Sequence, residues 1–328
     1  MSVLVTGGAG YIGSHMVLAL TDAGHDVVVL DNLSTGMAWS VSPKARLVEG
    51  DIADQALVGQ LISDHAVDAV VHFAGSIVVP DSVTDPLGYY HNNTCKSRSL
   101  IESAVKGRVP HFIFSSTAAV YGNPKSVPVR ESDELLPISA YGTSKLMTEL
   151  MLRDTSAAHD LNYVALRYFN VAGADPEGRS GQSTPRATHL IKVACETALG
   201  RRDHMAVFGT DYDTPDGTCL RDYIHVSDLV AAHLDALTYL KQGGESQVFN
   251  CGYGKGYSVL EVIGAVEKAS GRKMDVRLSE RRPGDPAEIV ANADKARATL
   301  GWSPKHADLD LIVTTALSWE KHMQSRNA

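Results

Sequence analysis

The stretch "VLVTGGAGYIGSH", Val3 to His15, runs an apolar strand into Gly7-x-x-Gly10-x-x-Gly13 and on into a helical pattern ending near Gly24. Glycines there let the backbone turn sharply, approach a pyrophosphate closely and pack helix on strand, and a helix N-terminus favours negative charge. An ordinary strand–helix corner uses the same residues, so the next strand matters. "DVVVLD" ends in Asp31, 18 residues past Gly13. A carboxylate there accepts the hydroxyls of an adenosine ribose and repels a 2′-phosphate, which favours NAD over NADP. Farther on, "EGDI" sets Asp51 and Ile52 at the end of a third strand, where an adenine could sit.

Outward from this unit, "DAVVHFAG" (Asp68–Gly75), "HFIFSST" (His111–Thr117) and "YVALRYFN" (Tyr163–Asn170) read as strands buried on both faces, with helical periodicity between them. This βαβα order predicts a Rossmann-type, doubly wound parallel sheet in an α/β protein. The second half is patchier, with loop-rich stretches at Gly173–Arg186, Gly209–Cys219 and Arg281–Glu288. Regular patterns return at Val226–Leu240, Gln247–Asn250 and Ser258–Ala269. The expected organisation is a cofactor domain over 1–170, with 226–250 returning to it, and a smaller mixed α/β substrate lobe from 171–225 and 251–328.

Composition narrows the function classes. The 328 residues are 44% apolar and 21% charged, which suits a globular chain. A net charge of −8 argues against a broad nucleic-acid or membrane-binding face. The cysteines (Cys95, Cys195, Cys219, Cys251) form no CxxC pair, and no histidine pair has HExxH spacing. Neither a disulfide framework nor a metal site is expected. The chain opens on a strand-like run with no basic leader and contains no long apolar span, so a cytoplasmic location is expected.

The chemistry sits in "SAYGTSKL", Ser139 to Leu146, where Tyr141 and Lys145 lie one helical turn apart. Alone, this pair is an ordinary solvated helix face. It gains meaning from its setting, because ligands of open α/β sheets bind beyond the carboxyl ends of the strands. Those ends read Phe73-Ala74-Gly75, Ser115-Ser116-Thr117 and Tyr168-Phe169-Asn170, small or polar groups suited to a cofactor and a hydroxylated substrate. Tyr168 is counted with the cofactor contacts. Bringing a phenol from about 10 to about 7 requires some 4 kcal/mol of preferential phenolate stabilisation. Lys145 and the positive nicotinamide of NAD are plausible sources, with Thr117 relaying a substrate proton.

Taken in order, "VTGGAGYIGSH", "FSSTAAVYG", "YGTSK", "RYFNVAGADP" and "RDYIHVSDL" resemble the extended short-chain dehydrogenase/reductase superfamily and, within it, the UDP-glucose (UDP-galactose) 4-epimerases. The resemblance covers nearly the whole chain. It implies tightly held NAD, an active-site cleft between the two lobes, a UDP-sugar substrate and a homodimer. It assigns the base to Tyr141, the lysine to Lys145 and the hydroxyl partner to Thr117. Cofactor contacts fall on Gly7, Gly10, Tyr11, Ile12, Asp31, Asn32, Asp51, Ile52, Phe73, Ala74, Gly75, Asn92 and Ser115, and nucleotide-sugar contacts on Asn170, Leu190, Phe208, Arg221, Arg282 and Asp285. These last make chemical sense, since arginines clamp a pyrophosphate with bidentate donors. The implied reaction is reversible oxidation at C4 of a UDP-hexose with no net redox change.

Related dehydratases carry an Asp-Glu pair just after the Ser/Thr, and decarboxylases a Glu; this chain has Ala118 and Ala119, which move no proton. Departures from the epimerase pattern occur at Ile77, Pro80, Lys96 and His189, and Ile289 stands where the family often places Tyr beside the sugar's C2 substituent. The apolar positions Leu146, Met147, Leu150 and Met151 read as core rather than cofactor contacts, with part of that face a candidate for pairing with a second subunit. Three readings follow: a UDP-hexose 4-epimerase; another UDP-sugar enzyme with the same redox core (a UDP-uronate or UDP-N-acetylhexosamine 4-epimerase, or a net dehydrogenase); and a non-catalytic NAD(H) sensor. Retention of Thr117, Tyr141 and Lys145 together speaks against the sensor, which needs none of them.

Overall fold

A computed structural model describes residues 1–184, 187–282 and 285–327. Of the predicted loop stretches, Pro185, Arg186, Pro283 and Gly284 lie outside the described residues. The first half contains β1 (Ser2–Thr6), α1 (Tyr11–Asp22), β2 (Asp26–Asp31), β3 (Arg46–Glu49), α2 (Gln55–Asp64), β4 (Ala69–His72), α3 (Val79–Thr84), α4 (Pro86–Tyr89), α5 (Lys96–Lys106), β5 (His111–Ser115), α6 (Ala140–Ala158) and β6 (Asn162–Tyr168). The second contains β7 (Asn170–Ala172), α7 (Leu190–Ala198), β8 (Met205–Phe208), β9 (Leu220–His225), α8 (Val226–Lys241), β10 (Gln247–Cys251), β11 (Gly256–Ser258), α9 (Val259–Ser270), β12 (Val276–Ser279), β13 (Glu288–Ile289), α10 (Asp294–Leu300) and α11 (Leu309–Asn327).

The valine-rich runs become a seven-stranded parallel sheet in the order β10-β6-β5-β4-β1-β2-β3. Alternate residues of each strand serve opposite faces. Val3, Val5, Val27 and Val29 pack with Met16 and Leu20 of α1, Leu229 and Leu237 of α8 and Ala296 of α10. Leu4, Val28 and Leu30 pack with Val58 and Leu61 of α2, Leu100 and Ile101 of α5 and Leu152 of α6. Burying each such side chain contributes about 1.5–3 kcal/mol, enough for two cores to fix the strand register. Within the stretch Val226–Asn250, β10 pairs with β6, and α8 packs on one face of the large sheet.

Beyond the sheet, β7, β9, β11 and β13 form a small mixed sheet, and β8 pairs with β12. Helices α7, α9 and α11 enclose a separate core that includes Ile191, Val262 and Ile312. Ser258 begins α9 with a reciprocal capping box to Glu261, and Gly271 ends it in the left-handed region, φ 69°. Ala293, Ala296 and Trp302 join the α1/α8 face of the large sheet. Strand order reverses at β1, whose neighbours are β2 and β4, and this switch point opens the crevice where such sheets bind ligands.

Candidate active site

At the switch point the backbone itself is the binding surface. Gly7 has φ +70°, and a Cβ there would sit 2.6 Å from the Ala74 nitrogen; at Gly13 it would sit 2.1 Å from the Gly7 carbonyl oxygen. Only glycine allows the β1 turn to press so closely on β4 and on α1. Helix α1 starts after Gly10 with no side-chain cap, which leaves the Tyr11 and Ile12 end of the helix open to an anion. Tyr11 donates to the Gly173 carbonyl at 2.6 Å and ties this turn to the segment just after β7.

Asp31 ends β2, buried, and accepts hydrogen bonds from the Ala9 and Leu33 amides at 2.9 and 2.8 Å. A carboxylate has about four acceptor positions, so two remain for ribose hydroxyls. Asn32 accepts from Ser34 N at 3.1 Å. Asp51 lies one strand over and receives Lys96 Nζ at 2.5 Å. Burial raises the Asp51 carboxyl, but hydrogen bonds from Lys96, Ala53 and Asn32 outweigh it and hold the group below its usual value. The departure at Lys96 is thus a cation planted on a predicted adenine contact. Ile52 is buried beside it, and Asn92 donates to Ser76 Oγ at 2.9 Å. These glycines, the open helix end and the half-used carboxylate fit a dinucleotide.

The structure brings Thr117, Tyr141 and Lys145 to one buried place: they are 7%, 7% and 3% exposed. Ser139 caps α6 by accepting from Gly142 N at 3.2 Å, which fixes where the Tyr141 helix begins. Burial raises the Tyr141 phenol, and a hydrogen-bonding contact with the Thr117 side chain lowers it. Lys145 Nζ donates to the Ser115 carbonyl at 3.0 Å and lies 5.0 Å from the centre of the Phe114 ring. Burial pushes its ammonium down to about 8. Burial is the larger influence, so the Tyr141 phenol stands above its ordinary value, opposite to the lowering that proton abstraction requires. Tyr168 accepts from Ser115 Oγ at 2.9 Å, and its own phenol is raised by burial. Gly75 faces Lys145 Nζ: a Cβ there would lie 3.7 Å from it.

Two groups that hold this centre escaped the sequence reading. Asn93 is buried; its Oδ1 accepts from Ser76 N at 2.7 Å, and its Nδ2 donates to Ser144 Oγ at 3.1 Å. It joins the β4 strand end to the residue before Lys145. The Asn92-Asn93 doublet was a signal, but nothing local says which of the two turns inward. The second group is a buried ion pair, Arg167 with Glu149 at 2.6 Å, bonded through Glu149 to Ser116 and through Arg167 to Tyr121 at 3.0 Å. Glu149 looks like one more charged residue on α6, and only the packing of β6 against it shows otherwise.

The predicted nucleotide-sugar contacts lie on β7, α7, β8 and β9 and in the segment before β13. The Arg282 guanidinium lies over the Phe208 ring at 3.6 Å, and Arg221 faces Asp285 at 3.6 Å. Ile289 of β13 is in register with Arg221 and packs in a cluster with Ala118 and Phe169. Asn170 and Leu190 line a cavity with His189, Tyr223 and Trp319. His189 precedes α7, and its Nδ1 meets Gln182 Nε2 at 2.7 Å. Ala118–Tyr121 form a tight turn directly after Thr117, whose Oγ1 accepts from Ala119 N at 3.1 Å.

Residues 3–252 match the model of the NAD dependent epimerase/dehydratase family. A protein of Azospirillum brasilense named UDP-glucose 4-epimerase is 59% identical over 322 residues, covering 98% of this chain and 92% of that protein. The crystal structure of UDP-glucose 4-epimerase from Brucella ovis in complex with NAD is 44% identical, with TM-score 0.94 and 97% of each chain covered. The UDP-Glc/GlcNAc 4-epimerase of Campylobacter jejuni is 49% identical, with TM-score 0.86, covering 98% of this chain and 99% of that one. With its glycine turn, its strand-end carboxylate and its Thr-Tyr-Lys centre in one crevice, this chain belongs to the NAD dependent epimerase/dehydratase family.

Proposed function

We propose that this protein is an NAD-dependent UDP-glucose 4-epimerase that interconverts UDP-galactose and UDP-glucose. The observation that carries the reading is the buried Thr117-Tyr141-Lys145 centre followed by Ala118 and Ala119. At 118 and 119, directly after Thr117, the chain places two alanines, which cannot serve as an acid/base pair to expel water or carbon dioxide. The name of the Azospirillum brasilense relative supports the same reading.

Gly7, Gly10, Gly13, Asp31 and their neighbours would hold NAD, which would supply reversible oxidation at C4 with no net redox change. Tyr141, as phenolate in the loaded site, takes the 4-OH proton, with Thr117 bridging hydroxyl and phenol. Lys145 supplies the positive charge that favours the phenolate and fixes the Ser115 end of β5. Arg221, Arg282 and Asp285 anchor the UDP end, Phe208 offers a ring face to the base, and Asn170 and Leu190 close the pocket. The 4-ketose then turns over on its UDP tether so that C4 is reduced on its other face, and Tyr141 returns the proton to the C4 oxygen. Because oxidation and reduction occur in one site, water must be kept out and the cofactor kept in.

The family's dimer fits the surface. Met147 and Leu150 of α6, Val83 of α3 and Leu87 of α4 are exposed apolar side chains on neighbouring helices, and we assign this face to a homodimer contact. No helix among the described residues is long and apolar enough to cross a membrane. Free Cys95, Cys195, Cys219 and Cys251 support a reducing, cytoplasmic setting. Ile289, smaller than tyrosine and packed near Ala118, together with the Campylobacter jejuni relative, supports a second activity on UDP-N-acetylhexosamines.

The test is to incubate purified protein with UDP-galactose and no added NAD. UDP-glucose should accumulate without net NADH. Stoichiometric NADH with an oxidised sugar would overturn the epimerase reading in favour of a dehydrogenase. Failure with UDP-GlcNAc and UDP-GalNAc beside brisk UDP-galactose turnover would remove the second activity.

A further inference from the structure

The segment that follows Asp31 does not end at the cofactor site; it is fastened to the far end of the chain. Met37 N donates to the Ala9 carbonyl at 2.9 Å, and Ser40 Oγ donates to the same oxygen at 2.8 Å. A Cβ on Gly36 would come within 2.9 Å of Ala9. Ala9 lies inside the glycine turn, so residues 36–40 and that turn form one unit. From this unit Trp39 reaches out, 37% exposed, and stacks on Trp319 of α11, with ring centres 6.3 Å apart and planes at 27°. The Arg326 guanidinium lies over Trp39 at 4.1 Å, and His322 stacks on Trp319 at 5.1 Å.

Trp319 is itself rigidly held. It is buried, donates Nε1–H to Ser183 Oγ at 3.2 Å, and presses on Gly181 so closely that a Cβ there would meet its Cγ at 2.3 Å. It also lines the cavity shared with Asn170 and Leu190. One end of the stack therefore stands in the substrate lobe and the other on the turn that cradles the pyrophosphate. Offset stacking at this separation is the favourable geometry for aromatic pairs, and the cation over Trp39 adds to it.

We propose that the Trp39–Trp319 stack is a strap that keeps the segment 32–40 closed over the adenosine half of the NAD site, so that the C-terminal helix sets how slowly NAD leaves. Trp39 is a positioning residue in this role, acting through the Ala9 turn. The inference rests on the placement of the adenosine ribose beside Asp31. An epimerase that re-reduces its own ketose needs slow cofactor release, and a side-chain strap achieves this without adding a group to the reacting centre.

The experiment measures release of NAD from the purified holoenzyme after dilution into a nucleotide trap, with thermal stability followed in parallel. Trp39→Ala should release NAD about tenfold faster, as expected for losing one stacked aromatic contact, while Trp39→Phe keeps most of the hold. Trp302→Phe is the control, because Trp302 is a tryptophan buried in the large core that donates to the Asp228 carbonyl at 2.9 Å and takes no part in the Trp39–Trp319 stack. It should lower stability and leave release unchanged. Wild-type release from Trp39→Ala, or equal acceleration by Trp302→Phe, would overturn the strap. Asp31→Asn separates the two levels of the argument. If it speeds release while Trp39→Ala does not, only the strap falls; if it does not, the adenosine placement falls with it.

Discussion

The two halves of the cleft are made of different material. On the cofactor side the surface is backbone, with glycines at 7 and 13 pressed to distances no side chain could share and a helix end left open. On the side proposed for the nucleotide sugar it is side chains already engaged with one another: Arg282 on Phe208, Arg221 facing Asp285, and Arg281 bonded to Asp211 at 2.7 Å. A cradle of backbone has little freedom to lose on binding and suits a ligand that stays. Side chains that can exchange partners suit a ligand that arrives and leaves every cycle. On the function proposed above, a retained cofactor and an exchanging substrate would have distinct physical signatures within one molecule.

The sharpest way to break this contrast is at the point where the halves meet. Tyr141→Phe should lower epimerisation about a thousandfold, the scale of a lost proton-transfer group, while bound NAD stays at the wild-type level in an acid-extraction assay. Retained activity would remove Tyr141 from the chemistry. Parallel loss of NAD would show that the two halves do not separate.

Lys145 tests the buried charge. Its folded value of about 8 lies below the ordinary 10.5, so the unfolded chain binds the extra proton between those limits and stability rises with pH across that window. Lys145→Met removes a cost of about 3 kcal/mol at pH 7, offset in part by the lost bond to Ser115. Denaturant melts of NAD-free protein should show the variant gaining on wild type at neutral pH and losing that gain as pH climbs from 8 to 10.5. A difference independent of pH would mean that the ammonium is not desolvated.

Arg221→Ala and Arg282→Ala probe the exchanging side. Each should raise KM for UDP-galactose roughly thirtyfold, near 2 kcal/mol for a charge-assisted bond, with kcat and NAD content little changed. An arginine variant that emptied the protein of NAD would contradict the division of labour. The smallest effect is expected at Lys96→Gly, which frees one partly exposed ion pair with Asp51 and should speed NAD release about threefold, less at high salt. No change in release at low salt would leave Lys96 a surface pair only.

The glycine turn, Asp31 and the Tyr-x-x-x-Lys spacing are readable in the chain because each depends on neighbours a few residues away. A tight turn, a strand end and a helix turn are local events, and residue type reports them directly. Arg167 with Glu149, Asn93 with Ser144, and Trp39 with Trp319 were not readable. Their partners come from elements brought side by side only by sheet order and helix packing, and an isolated Glu or Trp has the same local signature whether exposed or buried. Sequence by itself determined the doubly wound fold and the cofactor class, and pointed to Tyr141 and Lys145 as the pair proposed to move the proton. Tertiary structure alone decided which charges are buried together, how Thr117 and Tyr141 come into contact and what ties the ends of the chain across the cleft, since these depend on burial and long-range contact.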